Sequence, residues 1–226
     1  MKVALILSGA GYLDGAEIRE SVLSLLYLDQ HNIQVDMFAP DMPQMHVVDH
    51  LAAEPEEGNR NVLKEAARIA RGQVRALSEL DMANYDGLVL PGGFGVAKNL
   101  SDFVTRGPDC DVLPDCKSAI IGCVEQSKPL AAICIAPAVV AAALKGHTSA
   151  TLTIGDDQAT AEAIEACGST HQQAATTDCV IDQKNHIVSC SAYMGDASIA
   201  DVAAGIEKAI QAFADILAAS TSKQVA

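Results

Sequence analysis

Cys134 is the residue of this sequence best placed for nucleophilic chemistry. The apolar run Leu130-Ala131-Ala132-Ile133 follows Pro129 and leads straight into it, and Ile135-Ala136-Pro137 comes next. Such a run reads as a buried strand, and a proline suits the first turn of the helix that follows. A thiol at this strand-to-helix turn sits by a helix N-terminus, whose partial positive charge favours the thiolate. The other six cysteines lack this setting and read as small buried apolar residues.

Two further segments could serve the same chemistry. Pro91-Gly92-Gly93-Phe94-Gly95 follows another apolar run, Gly87 to Leu90. Its glycines let the backbone come close to a ligand and expose N–H groups. The N–H of Gly93, paired with that of Ile135, would form an oxyanion hole. The second segment is Asp14-Gly15-Ala16-Glu17. In one reading Asp14 caps a helix and Glu17 closes a capping box. In the other Glu17 lies in the cleft as a general acid/base. The readings compete, because a carboxylate bonded to its own helix cap cannot also reach a thiol. A carboxylate close to the thiol would share a proton with it. His46 and His50 have helical spacing but match no zinc signature, and no metal is expected there.

These groups need a frame. Apolar runs at Val3 to Leu7, Ile33 to Phe38, Val74 to Leu77, Gly87 to Leu90 and Leu130 to Ile133 read as strands. Further strands are expected at Thr151 to Ile154, near Cys179 to Ile181 and at His186 to Ser189. Ile18, Val22, Leu25 and Leu26 recur at helical spacing, so a helix is expected from about Ala16 to His31. Helices are also expected at Leu63 to Ala70, Ser118 to Gln126, Pro137 to Leu144, Ala159 to Cys167 and Ile199 to Ala218. The connection from Asp41 to Asn59 is long and irregular, which more often marks function than idleness. Alternating β and α units imply a parallel sheet covered on both faces, with its site beyond the carboxyl ends of the strands. One domain is expected over 1–220, and a frayed polar tail over 221–226.

The chain of 226 residues carries a net charge of −14, from 15 Lys and Arg against 29 Asp and Glu. That balance argues against a nucleic acid or an anionic membrane as partner. Half of the residues are hydrophobic but only 4% are aromatic, so the core must be aliphatic. The seven cysteines form no dense paired scaffold, and the short N-terminal apolar run lacks signal-peptide length. A cytoplasmic protein is expected. No cofactor fingerprint is present.

Taken together, several segments resemble one superfamily. They are Ile6-Leu7-Ser8-Gly9 with Asp14-Gly15 and Glu17; Arg60 to Leu63 with Glu65 to Ile69; Pro91 to Gly95 with Ala97 to Leu100; Cys134-Ile135-Ala136-Pro137; Leu152 to Gly155; and Ala192-Tyr193-Met194. They resemble the ThiJ/PfpI superfamily with its class I glutamine amidotransferase-like fold, and more narrowly the ElbB family of isoprenoid-biosynthesis proteins with an amidotransferase-like domain. The resemblance implies a flavodoxin-like three-layer sandwich, usually a homodimer. It implies Cys134 as nucleophile and Glu17 as its acidic partner, with Gly9, Gly92, Gly93, Ile135 and Asn99 around the oxyanion and substrate. It also implies glyoxalase chemistry without glutathione, cofactor or metal, acting on a small aldehyde such as methylglyoxal. Peptidase-like members carry His directly after the nucleophile, where this chain has Ile135. Two other readings stand beside the enzyme: a redox sensor or ligand-binding protein using the same cysteine, and a glutamine amidohydrolase.

Overall fold

The computed structural model describes residues 1–224, with side chains to residue 220. In chain order the elements are β1 (Lys2–Ile6), α1 (Ile18–Gln30), β2 (Gln34–Ala39), β3 (Val48–Asp49), β4 (Glu54–Pro55), α2 (Val62–Ile69), β5 (Val74–Ala76), β6 (Gly87–Leu90), α3 (Phe94–Asn99), α4 (Phe103–Arg106), α5 (Pro114–Glu125), β7 (Leu130–Ile133), α6 (Ala136–Leu144), β8 (Thr151–Leu152), α7 (Gln158–Ala166), β9 (Thr170–His171), β10 (Val180–Asp182), β11 (Ile187–Cys190) and α8 (Ile199–Gln224). Of the expected tail, residues 221–224 continue the α8 backbone, and Val225 and Ala226 lie outside the described residues.

Seven strands form one sheet in the order β10-β11-β7-β6-β1-β2-β5. Every pairing is parallel except the β10–β11 hairpin at one edge. The central strands β6 and β7 are buried along their whole length, as parallel strands covered by helices on both faces must be. Alternate residues feed two aliphatic cores. Leu130 and Ala132 join the core under α5, α6 and α7, and Ala131 and Ile133 join the core under α1, α2 and α8. This is the expected three-layer α/β sandwich.

Two expectations need correction. Thr151 to Ile154 does not enter the main sheet: β8 pairs only with β9, in a separate parallel pair. Helix α1 exists, but of its apolar stripe only Leu25 packs, partly buried, against the core. Ile18, Val22 and Leu26 are 49%, 49% and 44% exposed, whereas Glu20, Ser21, Ser24 and Leu28 are buried. The buried serines carry their own solution: Ser21 Oγ donates to the Glu17 carbonyl at 2.6 Å and Ser24 Oγ to the Glu20 carbonyl at 2.7 Å. Small satisfied side chains let α1 lie close on the sheet and bring Glu20 to the strand ends.

The irregular connection after β2 is tied down rather than loose. The Val48 N–H donates to Asp14 Oδ2 at 2.9 Å, and the Met45 N–H to Asn99 Oδ1 at 3.0 Å. His46 and His50 flank strand β3 here, not a helix. His50 packs edge-on against Tyr12, and its Nδ1 lies 3.0 Å from the Val48 carbonyl. Among the described residues no group of three metal-binding side chains converges, and no helix is long and apolar enough to cross a membrane.

Candidate active site at the carboxyl edge of the sheet

Cys134 lies one residue beyond β7 and opens the turn into α6. Its φ is 62°, in the left-handed region that residues other than glycine rarely adopt. Its N–H donates to the Cys190 carbonyl at 2.9 Å, so the ladder with β11 holds to the last residue before the chain turns. The turn re-aims the side chain. By strand alternation Cys134 would face the α5–α6 core with Ala132; it instead joins the α1–α8 side with Ile133. The thiol is therefore buried against α1, with the residue only 7% exposed.

Three groups meet the sulfur. The N–H groups of Gly93 and Ile135 donate to it, and the Glu20 carboxyl shares a hydrogen bond with it. Gly93 caps α3 with a φ of 97°, and Ile135 caps α6, so both donors stand at helix starts. Gly92 lies against both the Cys134 and the Glu20 side chains. A Cβ on it would lie 2.4 Å from Cys134 Cβ and 2.7 Å from Glu20 Oε2.

Glu20, not Glu17, is the carboxylate beside the thiol. Glu17 is the N-cap of α1, and its Oε2 accepts the Glu20 N–H at 2.6 Å. The capping arrangement thus holds, but shifted by three residues from the expected box. Asp14 instead anchors the long connection through Val48. Glu20 is fully buried; its Oε2 accepts the Gly92 N–H at 3.1 Å and its Oε1 the Tyr193 N–H at 3.2 Å. No signal in the helix pattern marked it, because a buried Glu breaks the rule that the apolar face turns inward. The sole hint was the position one turn beyond Glu17, at the start of the helix.

Gly9 and Asn99 do not join the sulfur. Asn99 is buried and spends its amide on the Ser8 and Asp14 carbonyls, both at 2.9 Å, and on Met45. It fastens the first loop to α3. Gly9, with φ of 113°, lets that loop pass 3.2 Å from the Gly15 Cα as measured from a built Cβ. Both residues shape the rim and make no bond to Cys134.

Electrostatics couple the pair. Burial, with the nearby Glu17 charge, pushes the Glu20 carboxyl up to about 8, and the Cys134 contact and two backbone donors only partly oppose this. Burial, with the Glu20 charge, pushes the Cys134 thiol up as well, against the pull of the Gly93 and Ile135 donors. Two acidic groups in contact lose their protons as a unit. The first proton to leave yields one negative charge, which backbone donors hold at either the carboxylate or the sulfur end. The native Glu20 keeps a proton that the unfolded chain loses above its ordinary value of 4.5, so stability falls as pH rises from there towards about 8. The loss is on the order of 3–5 kcal/mol at most. Denaturant midpoints measured from about pH 5 to about pH 9 are expected to fall in the wild type and to fall less in Glu20→Gln.

No family model matches the sequence. The rat protein "ES1 protein homolog, mitochondrial" is 41% identical over 215 residues, covering 91% of this chain and 80% of that protein. The human "Glutamine amidotransferase-like class 1 domain-containing protein 3, mitochondrial" is likewise 41% identical over 215 residues, covering 91% and 79%. The chain belongs to the ES1 family of glutamine amidotransferase-like class 1 domain proteins. Within solved structures, the ES1-family chain is similar to an isoprenoid biosynthesis protein with amidotransferase-like domain from Ehrlichia chaffeensis. The TM-score is 0.91 at 41% identity, over 96% of this chain and 99% of that one. A DJ-1 superfamily protein from Salmonella typhimurium, at 20% identity, gives a TM-score of 0.58 over 99% and 97% of the two chains, and shares the fold. The expectation of a cytoplasmic protein is overturned by the curated ES1 relatives of rat, human and zebrafish, each named a mitochondrial protein.

Proposed function

We propose that this protein is a cofactor-independent enzyme that converts small 2-oxoaldehydes such as methylglyoxal into hydroxy acids, through Cys134 and Glu20. The observation that carries the reading is the buried Glu20 carboxyl in contact with a thiol on a sharp elbow, under two N–H donors. We read the chain as ElbB-like at the finer level, which its similarity to the Ehrlichia chaffeensis isoprenoid biosynthesis protein supports.

The geometry supports the following course. The reacting form is the singly ionised pair with the charge on the sulfur and the remaining proton on Glu20. The sulfur attacks the aldehyde carbon, and the Glu20 proton passes to the new alkoxide, leaving a hemithioacetal and a Glu20 carboxylate. That carboxylate takes the proton from the former aldehyde carbon and returns it to the neighbouring carbon. The N–H groups of Gly93 and Ile135 stabilise the enediolate between these steps. Water then cleaves the thioester, releases the hydroxy acid and restores the thiol.

Amide hydrolysis is the weaker reading. Among the described residues the groups acting on Cys134 include Glu20 and two backbone N–H groups but no histidine. The homodimer belongs to the proposal as well. The exposed stripe of Ile18, Val22 and Leu26 borders a groove rimmed by Asp29 and Arg71, and charges of both signs suit a two-fold, self-complementary contact. The test of the main reading is purified protein with methylglyoxal, following loss of the aldehyde and formation of lactate. Steady turnover without glutathione or metal is the expected result. Lactate formation no faster than in buffer would overturn it.

A further inference from the structure

Cys190 is a buried thiol that the proposed reaction does not use, and it stands beside the nucleophile. It ends β11, pairs with Ile133 in the parallel ladder, and its carbonyl accepts the Cys134 N–H at 2.9 Å. Adjacent strands run about 4.8 Å apart and rise about 3.3 Å per residue, so the diagonal from Cys190 to Cys134, one residue past its partner Ile133, is about 5.8 Å, within the roughly 4.4–6.8 Å between Cα atoms that a disulfide spans. In a regular strand the residue after Ile133 would point to the opposite face from Cys190. The elbow removes that obstacle: at φ 62° Cys134 turns to the α1–α8 side, where Val188 and Cys190 also lie. Glu20 acts on both thiols, so one carboxyl lies within electrostatic reach of two sulfurs.

We propose that Cys190 is a resolving cysteine, which captures Cys134 in a reversible intramolecular disulfide when a hydroperoxide oxidises the nucleophile. The electrons balance with the peroxide as two-electron oxidant. The Cys134 thiolate attacks one peroxide oxygen; the S–O bond forms, the O–O bond breaks, and the departing hydroxide takes the Glu20 proton and leaves as water. Cys134 is now a sulfenic acid and Glu20 a carboxylate. Glu20 takes the Cys190 proton, the Cys190 sulfur attacks the Cys134 sulfur, and the S–S bond forms as the S–O bond breaks. The second hydroxide takes the proton back from Glu20 and leaves as water. Two thiols and one hydroperoxide have given one disulfide and, for hydrogen peroxide, two waters. The disulfide keeps the nucleophile from the irreversible sulfinic and sulfonic states.

This inference deepens the proposed site and rests on Cys134 being reactive, but not on which substrate it turns over. The test exposes the full chain to hydrogen peroxide, followed by alkylation of free thiols and peptide mass spectrometry. The wild type is expected to give a Cys134–Cys190 crosslinked peptide that dithiothreitol removes. Cys190→Ser and Cys190→Ala are expected to lose the crosslink and to accumulate Cys134 sulfinic acid instead; two variants guard against one that fails to fold, and circular dichroism confirms the fold of each. Accumulation of sulfinic acid at Cys134 in the wild type, with Cys190 still free to alkylate, would overturn the proposal. The crosslink is read by mass. It therefore stands even if methylglyoxal is not turned over, and turnover without a crosslink overturns this inference alone.

Discussion

Replacing Glu20 by Gln is expected to lower kcat/KM for methylglyoxal by about 10²–10⁴-fold, the range for loss of a positioned acid/base. Gln keeps the size of the side chain, but its single oxygen can accept from only one of the Gly92 and Tyr193 N–H groups, and it cannot shuttle a proton. Cys134→Ala is expected to remove turnover altogether. Glu17→Gln is the discriminating control. Glu17 serves the helix start, so its replacement should cost about 1 kcal/mol of stability and less than about tenfold in rate, through its charge on Glu20. Steady-state kinetics beside thermal melts checks all three. A folded Glu17→Gln as inactive as Glu20→Gln would return the acid/base role to Glu17.

Gly92→Ala is expected to damage the site through space alone. The added methyl would sit 2.4 Å from Cys134 Cβ, 2.7 Å from Glu20 Oε2 and 2.8 Å from the Ile133 carbonyl. No flexible side-chain end is available to give way on the first and third of these, so the nucleophile and β7 must move. Overpacking of this kind costs roughly 1–3 kcal/mol, and a shift of about 1 Å between reacting groups costs on the order of 10²-fold in rate. Denaturation midpoints and kinetics together check this. A variant with wild-type rate and stability would show that the elbow has slack that the packing does not suggest.

The sheet was legible because its strands are short continuous apolar runs bounded by Pro and Gly, and a doubly covered parallel strand leaves that trace. Gly87 to Leu90 and Leu130 to Ile133 appear with the expected bounds. The elbow was legible for the same reason, since Pro129 and Pro137 bracket Cys134. Helix α1 was legible as a helix but not as an oriented one. Its apolar stripe reads as the core face, whereas Ile18, Val22 and Leu26 are exposed, Leu25 is only partly buried, and the fully buried positions are two self-bonded serines, Glu20 and Leu28. Periodicity reports which residues share a face, and burial depends on what the neighbouring elements supply. Here the turns beyond β6 and β11 supply backbone N–H groups at Gly92 and Tyr193, which make a buried carboxyl tolerable. Those donors come from 72 and 173 residues away, a separation that no local pattern contains.

The left-handed backbone at Cys134 also limits which nucleophiles this scaffold can host. A serine carries the same unbranched Cβ and fits the same turn. A threonine does not, because a second substituent on Cβ is strongly disfavoured at positive φ. The elbow thus selects its chemistry by shape before reactivity enters: thiol and primary alcohol are admitted, and the secondary alcohol is shut out. Exchange among cysteine, serine and alanine at this position can therefore be read as a change of chemistry on a kept backbone, whereas a β-branched replacement would test the turn itself.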